Sequence, residues 1–181
     1  MRKIVLAVTL LLTMCTAAVA QTSLFAGPYV GLNIGYNSFN SDGLSDKVNG
    51  VSFGGIVGYR ASVSDNVVLG LQGFVDVNAG KQDFTDLNGD VSTIHLNEAA
   101  GFEATAGLVI EKTMLYILAG YGWLNISEEP IGDSDNGSGI RLGGGVEFKL
   151  TDSIGIRAQA VWQDFNAASS IGTNVGVVFN F

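Results

Sequence analysis

The amino-acid sequence predicts an all-β fold: a closed eight-stranded antiparallel up-and-down transmembrane β-barrel. Three observations lead there. Beyond Gln21 no apolar run approaches the roughly 20 residues that a spanning helix needs, and segments of about ten residues alternate apolar with polar instead. The polar face of those segments is built from Gly, Asn, Ser, Thr and Gln with isolated charges. The connections alternate between short and long, the hairpin pattern of an up-and-down sheet.

Composition agrees. The chain has 181 residues, the size of one domain; 47% are hydrophobic and only 14% charged, with 25 Gly and 2 Pro. A soluble domain carries about 25% charged residues. The N-terminus reads as a secretory signal over residues 1–20, followed by a barrel domain over 21–181. Arg2 and Lys3 form the basic region, Ile4 to Leu12 the apolar region, and Ala18-Val19-Ala20 the small residues of a cleavage site. Met14 stands directly before Cys15, where lipoprotein signals resemble one another in having a small residue. Cleavage after Ala20 removes Cys15, the only cysteine, so disulfides have no part in holding the mature chain together. It also removes two basic residues from a chain with 17 acids and 9 bases, which excludes nucleic acid as a partner.

The strands follow in order. The first, Tyr29 to Asn37, sets Val30, Leu32, Ile34 and Tyr36 against Gly31, Asn33, Gly35 and Asn37. The second, Val51 to Val63, sets Phe53, Val57 and Tyr59 against Ser52, Gly54, Gly58 and Arg60. The third, Val67 to Val77, sets Leu69, Leu71 and Val75 against Gly70, Gln72 and Asp76. The fourth, near Asn97 to Ile110, sets Phe102, Ala104, Ala106 and Leu108 against Gly101, Glu103, Thr105 and Gly107. The fifth, Met114 to Leu124, is apolar on both faces; Gly120 and Gly122 suggest the inner register, with Leu115, Ile117, Ala119, Tyr121 and Trp123 outside. The sixth, Gly139 to Leu150, sets Ile140, Leu142, Val146 and Phe148 against Arg141, Glu147 and Lys149. The seventh sets Ile154, Ile156, Ala158, Ala160 and Trp162 against Arg157, Gln159 and Gln163, and the eighth sets Ile171, Val175, Val177, Phe179 and Phe181 against Gly172, Asn174, Gly176 and Asn180. Short turns fall at Ser64-Asp65-Asn66, Glu111-Lys112-Thr113 and Thr151-Asp152-Ser153, and longer polar loops at about 38–50, 78–96, 127–138 and 164–170.

The polar face fixes which side meets lipid. A solvent face carries many charges of both signs; this one has few, and its glycines make room for the long Arg, Glu and Gln side chains of a narrow interior. The apolar face therefore points outward, and closure pairs every strand edge, as hydrocarbon requires. The aromatics fit two interfacial girdles. Tyr36, Phe53, Phe102, Tyr121, Trp123 and Trp162 fall near the upper strand ends, and Phe148, Phe179 and Phe181 near the ends at the short turns.

The cleavable signal, the eight alternating strands, the short turns and the terminal "VGVVFNF" resemble the small outer-membrane β-barrels of the OmpA-like and opacity-type surface-protein group, a porin-family architecture. The resemblance implies the outer membrane of a Gram-negative bacterium, with lipid and lipopolysaccharide around the barrel. It also implies Phe179 and Phe181 as an address for the barrel-assembly machinery, with periplasmic chaperones as partners during biogenesis.

The inward charges are Arg60, Asp76, Glu103, Arg141, Glu147, Lys149 and Arg157. Pairing about the Asp152 turn sets Glu147 opposite Arg157 and Arg141 opposite Gln163, so a cross-strand Glu147–Arg157 ion pair is expected. Two readings of this set stand: a packed polar core that satisfies its own charges, or a gate on a narrow porin-like diffusion channel. A third reading is a lipid A-modifying enzyme built on His95, the only histidine, near Ser92 and Thr93; no spacing fixes a nucleophile, a base and its orienting group. The loops are acidic, with Asp42, Asp46, Asp83, Asp86, Asp90, Glu128, Glu129, Asp133 and Asp135. "DLNGD" and "DSDNGSG" do not complete a calcium-loop spacing, and turn chemistry explains them. The expectation is a non-enzymatic surface protein, structural or adhesive, that takes no cofactor and meets any host or cell-surface ligand through its loops.

Overall fold

The computed structural model describes residues 23–40, 48–85, 91–129, 134–165 and 168–181. They form eight strands: β1 (Gly27–Asn40), β2 (Val48–Ser62), β3 (Val67–Thr85), β4 (Val91–Ile110), β5 (Thr113–Glu129), β6 (Ser134–Lys149), β7 (Ile154–Phe165) and β8 (Ala168–Asn180). Each strand pairs antiparallel with its neighbours in sequence, and β8 returns to β1 to close the barrel. The number of strands, their order and the closure are those the alternation predicts.

The two faces are also as expected, and their burial inverts the usual rule for a protein in water. Leu32, Leu71 and Ile117 are 77%, 69% and 68% exposed, whereas Arg60 and Glu147 are 1% and 0% exposed. Such an outer surface is stable only against hydrocarbon. β5, apolar on both faces, takes the register set by Gly120 and Gly122. Leu115, Ile117, Ala119, Tyr121 and Trp123 point out, while Met114, Tyr116, Leu118 and Leu124 are buried inside.

The strands outrun the alternation that announces them. Segments 78–96 and 127–138, expected as loops, are largely strand: β3 continues to Thr85, β4 begins at Val91, β5 runs to Glu129 and β6 starts at Ser134. The physical reason is that the apolar pattern is required only where lipid touches the wall, while the hydrogen-bond ladder continues above it. Register shifts between Val77 and Gly80 on β3, and between Leu96 and Glu98 on β4, mark where the pattern lapses. His95 therefore lies in a strand, in register with Lys81 and Ser127, and not in a loop. Residues 1–20 of the expected signal, and Asp42, Asp46, Asp86, Asp90 and Asp133 of the acidic loops, lie outside the described residues.

Two backbone positions carry conformational demands. Gly27 has φ 111° and follows a turn in which the Ala26 amide donates to Ser23 O at 3.1 Å; this reversal folds Phe25 back under the barrel. Glu111, in the two-residue β4–β5 turn, has φ 53° without being glycine. A left-handed non-glycine residue costs about 1–2 kcal/mol, and glycine returns roughly half to one kcal/mol of that as chain entropy. Glu111→Gly is therefore expected to stabilise the barrel by under about 1 kcal/mol, read as a higher urea midpoint in detergent micelles; a lower midpoint would show that the turn is not strained.

Candidate functional site: the barrel lumen

Alternation sends every second residue of each strand inward, and eight strands leave an interior that side chains can fill. All seven charged residues expected in the lumen point into it. Arg60, Glu103, Arg141, Glu147, Lys149 and Arg157 are buried, and Asp76, toward the long-loop end, is 17% exposed.

The central contact crosses the whole barrel. Arg60 on β2 and Glu147 on β6 lie four strands apart in a ring of eight, on opposite walls. Their side chains meet in a two-pronged ion pair, Arg60 Nη1 to Glu147 Oε1 at 3.1 Å and Nη2 to Oε2 at 2.8 Å. Above it, Arg141 donates Nε to Glu103 Oε1 at 2.9 Å and Nη1 to Gln163 Oε1 at 2.9 Å, with Asp76 Oδ2 at 3.4 Å. Gln72 links the groups: its Nε2 donates to Glu103 Oε2 at 2.5 Å, and its Oε1 accepts from the Tyr29 hydroxyl at 2.6 Å and from Arg157 Nη1 at 3.2 Å. Arg157 also donates Nε to the Tyr116 hydroxyl at 2.5 Å, which donates in turn to Gln159 Oε1 at 2.8 Å. At the short-turn end Lys149 donates to Asn180 Oδ1 at 2.5 Å.

The expected register holds and one expected pairing does not. Glu147 does stand opposite Arg157, and Arg141 opposite Gln163. Arg141 and Gln163 bond as neighbours, but Glu147 turns across the lumen to Arg60, and Arg157 binds Tyr116 and Gln72 instead. The far wall offers a guanidinium whose two nitrogens match both carboxylate oxygens.

The lumen also contains aromatics that the charge count overlooks. Each of the four cations among its described side chains lies over a ring: Arg141 over Phe74 at 3.7 Å, Arg60 over Tyr29 at 4.0 Å, Arg157 over Tyr116 at 4.6 Å and Lys149 over Phe25 at 5.3 Å. Parity was the available signal for three of them. Phe74 shares a face with Gln72 and Asp76, Tyr29 with Asn33, and Tyr116 with Gly120. Phe25 precedes the first strand and gives no periodic signal. It is fully buried and packs with Val68, Val109, Met114, Tyr116, Leu118 and Val161, a stopper at the short-turn mouth.

The aromatics expected at the membrane interfaces point outward. Tyr36, Phe53, Phe102, Tyr121, Trp123, Phe148 and Trp162 are all exposed. Phe102 and Tyr121 pack against Trp123 with centroids 5.9 and 5.7 Å apart, and Tyr121 donates to Ser138 Oγ at 2.9 Å. At the other end Phe179 and Phe181 meet edge to face at 5.0 Å, and the Phe181 amide donates to Pro28 O at 3.1 Å. The terminal residue is thus tied to β1 by its backbone while the residue as a whole is 69% exposed.

This arrangement braces the wall: Arg60 and Arg141 are paired with carboxylates, while Arg157 and Lys149 bond neutral side chains. Among the described residues no three His, Cys, Asp or Glu side chains converge as metal ligands.

Comparison with known proteins agrees with the geometry. The family model described as "Outer membrane protein beta-barrel domain" matches residues 7–181. Neisserial surface protein A is similar in structure, with a TM-score of 0.62 and 17% identity over 86% of this chain and 98% of that one. The attachment invasion locus protein Ail of Yersinia pestis gives a TM-score of 0.56 and 16% identity over 87% and 100% of the two chains. Ail in complex with the heparin analogue sucrose octasulfate gives 0.52 and 18% identity over 86% and 99%. No curated protein matches by sequence.

Proposed function

The chain belongs to the outer membrane protein β-barrel domain family, and from that premise we propose an integral surface protein of the Gram-negative outer membrane, structural or adhesive. Its lumen is a packed scaffold, and its long-loop end meets the surroundings. The observation that carries this reading is the Arg60–Glu147 pair, which joins opposite walls with both side chains at or below 1% exposure. A charge pair spanning the interior, with Phe25 beneath it and Arg141 bound to Glu103 above it, supports a filled barrel over a porin-like diffusion channel. On the same reading the protein is no enzyme, residues 1–20 are a cleaved signal, and the outward aromatics hold the barrel at the two membrane interfaces, surrounded by lipid and lipopolysaccharide.

The loop composition sets the chemistry of a ligand. Asp42, Asp46, Asp83, Asp86, Asp90, Glu128, Glu129, Asp133 and Asp135 outweigh Lys47 and Lys81 in these segments. Ail has been solved with a sulfated heparin analogue; a polyanion meets repulsion here, and a basic host or cell-surface partner meets attraction that falls with salt. Deletion of the gene tests the proposal. The expected result is lost adhesion to a polylysine-coated surface, no change on heparin, and unchanged uptake of small solutes. Unchanged adhesion with slowed uptake would favour the channel instead.

A further inference from the structure

We propose that the short-turn mouth of the lumen is a binding site for a small apolar carboxylate, an aromatic or short aliphatic acid, and that Phe25 fills its apolar half in cis. Phe25 is fully buried, in a seat walled by Val68, Val109, Met114 and Val161. Its ring centre lies 5.3 Å from Lys149 Nζ. The ring thus sits in an apolar seat with a cation at its edge, and what it lacks is an anion.

The polar half of the seat has donors and no acceptor for them. Lys149 is 1% exposed and donates to Asn180 Oδ1 at 2.5 Å, which uses one of the three donors of an ammonium. Asn180 is 4% exposed, and its Nδ2 has no partner. The lumen carboxylates are engaged elsewhere: Glu147 holds Arg60, and Glu103 and Asp76 hold Arg141. Lys149 therefore forms no ion pair among the described residues. A buried unpaired cation and a buried unpartnered amide are both costly, and one carboxylate satisfies the two together. The donors select an anion, and the apolar wall beside them selects one with a hydrocarbon body.

Phe25 leaves this seat without opening the barrel. Residues 23–26 precede β1 and lie outside the hydrogen-bond ladder. The bonds from Ala26 N to Ser23 O at 3.1 Å and from Phe25 N to Ser23 Oγ at 3.3 Å stay within the segment's own turn. Burial, of the Phe25 ring above all, holds the segment to the wall, and an incoming apolar group replaces that burial. The Arg60–Glu147 pair still closes the lumen above, so a bound acid stops at the mouth and no conducting path forms. The inference is independent of the surface role.

Titration of the detergent-purified Phe25→Ala variant with phenylacetate and with neutral benzyl alcohol, followed by the Met114 methyl and Asn180 side-chain amide resonances, tests this. The variant should bind the acid at least about ten-fold more tightly than the alcohol, the factor that one charge-assisted hydrogen bond supplies. Lys149→Met in the same background should erase the preference and leave the alcohol's affinity unchanged. The wild type should bind phenylacetate more weakly than the variant, because Phe25 competes for the seat. Equal affinity for acid and alcohol, no resonance shift with either, or a wild type that binds as tightly as the variant would each overturn the proposal. If either variant does not fold, the wild type decides: phenylacetate at high concentration should shift the Phe25 and Ala26 amides together with the Asn180 side-chain amide, and resonances that stay in place refute it.

Discussion

Glu147→Ala is expected to lower the unfolding free energy of the barrel in detergent by about 3–5 kcal/mol, the cost of stranding a buried charge. Glu147 satisfies Arg60 through both carboxylate oxygens, with neither residue able to reach bulk water. Removing the carboxylate leaves Arg60 with its contact to the Tyr29 ring, and its Nε already has no hydrogen-bond partner. The loss therefore measures an uncompensated guanidinium rather than the net worth of the pair. The double variant Arg60→Met with Glu147→Met separates the two. Replacing both charges by apolar groups of similar length should recover most of the loss, because desolvating an ion pair costs about as much as its attraction returns. Urea unfolding followed by gel mobility of unboiled samples reads all three proteins. If the double variant were as unstable as Glu147→Ala, the pair would be contributing packing that methionine cannot replace.

Phe181→Ala should have its large effect in cells and a small one in the test tube. The residue is mostly exposed, and its one ring contact is the edge-to-face pair with Phe179. Such a pair contributes about 0.5–1.5 kcal/mol. The hydrogen bond from its amide to Pro28 O uses backbone only and survives the substitution. Spontaneous refolding into detergent should then be nearly unchanged. If the terminal aromatic is the address read during assembly, the amount of folded protein in the outer membrane should fall several-fold while unfolded chain accumulates in the periplasm. A purified variant that cannot refold would make Phe181 a packing residue and remove the support for an assembly signal.

How much of this was legible depends on which physical constraint wrote the residue. Lipid on one side and a crowded lumen on the other force a period of two. The strand number, both faces and the register of Glu147 with Arg157 could therefore be read directly. Where lipid ends, that constraint ends, and the upper parts of β3 to β6 were invisible although their ladders continue. Arg60 and Glu147 sit 87 residues apart and on opposite walls, so their contact is a consequence of closure and of side-chain reach. Local pairing rules name only the cross-strand neighbour, and they named Arg157. Phe25 was missed for a related reason: its position depends on the reversal at Gly27 and on a pocket formed by β3, β4, β5 and β7, none of which leaves a mark at residue 25.

If the lumen is filled and closed, the barrel carries no ions, and planar-bilayer recording on the purified protein reads that property. No resolved conductance steps are expected from the wild type, and none that the wild type lacks from the double methionine variant, whose lumen remains packed. Reproducible steps from the wild type that scale with salt concentration, and that change size when Arg60 or Glu147 is replaced, would contradict it and make the lumen a channel.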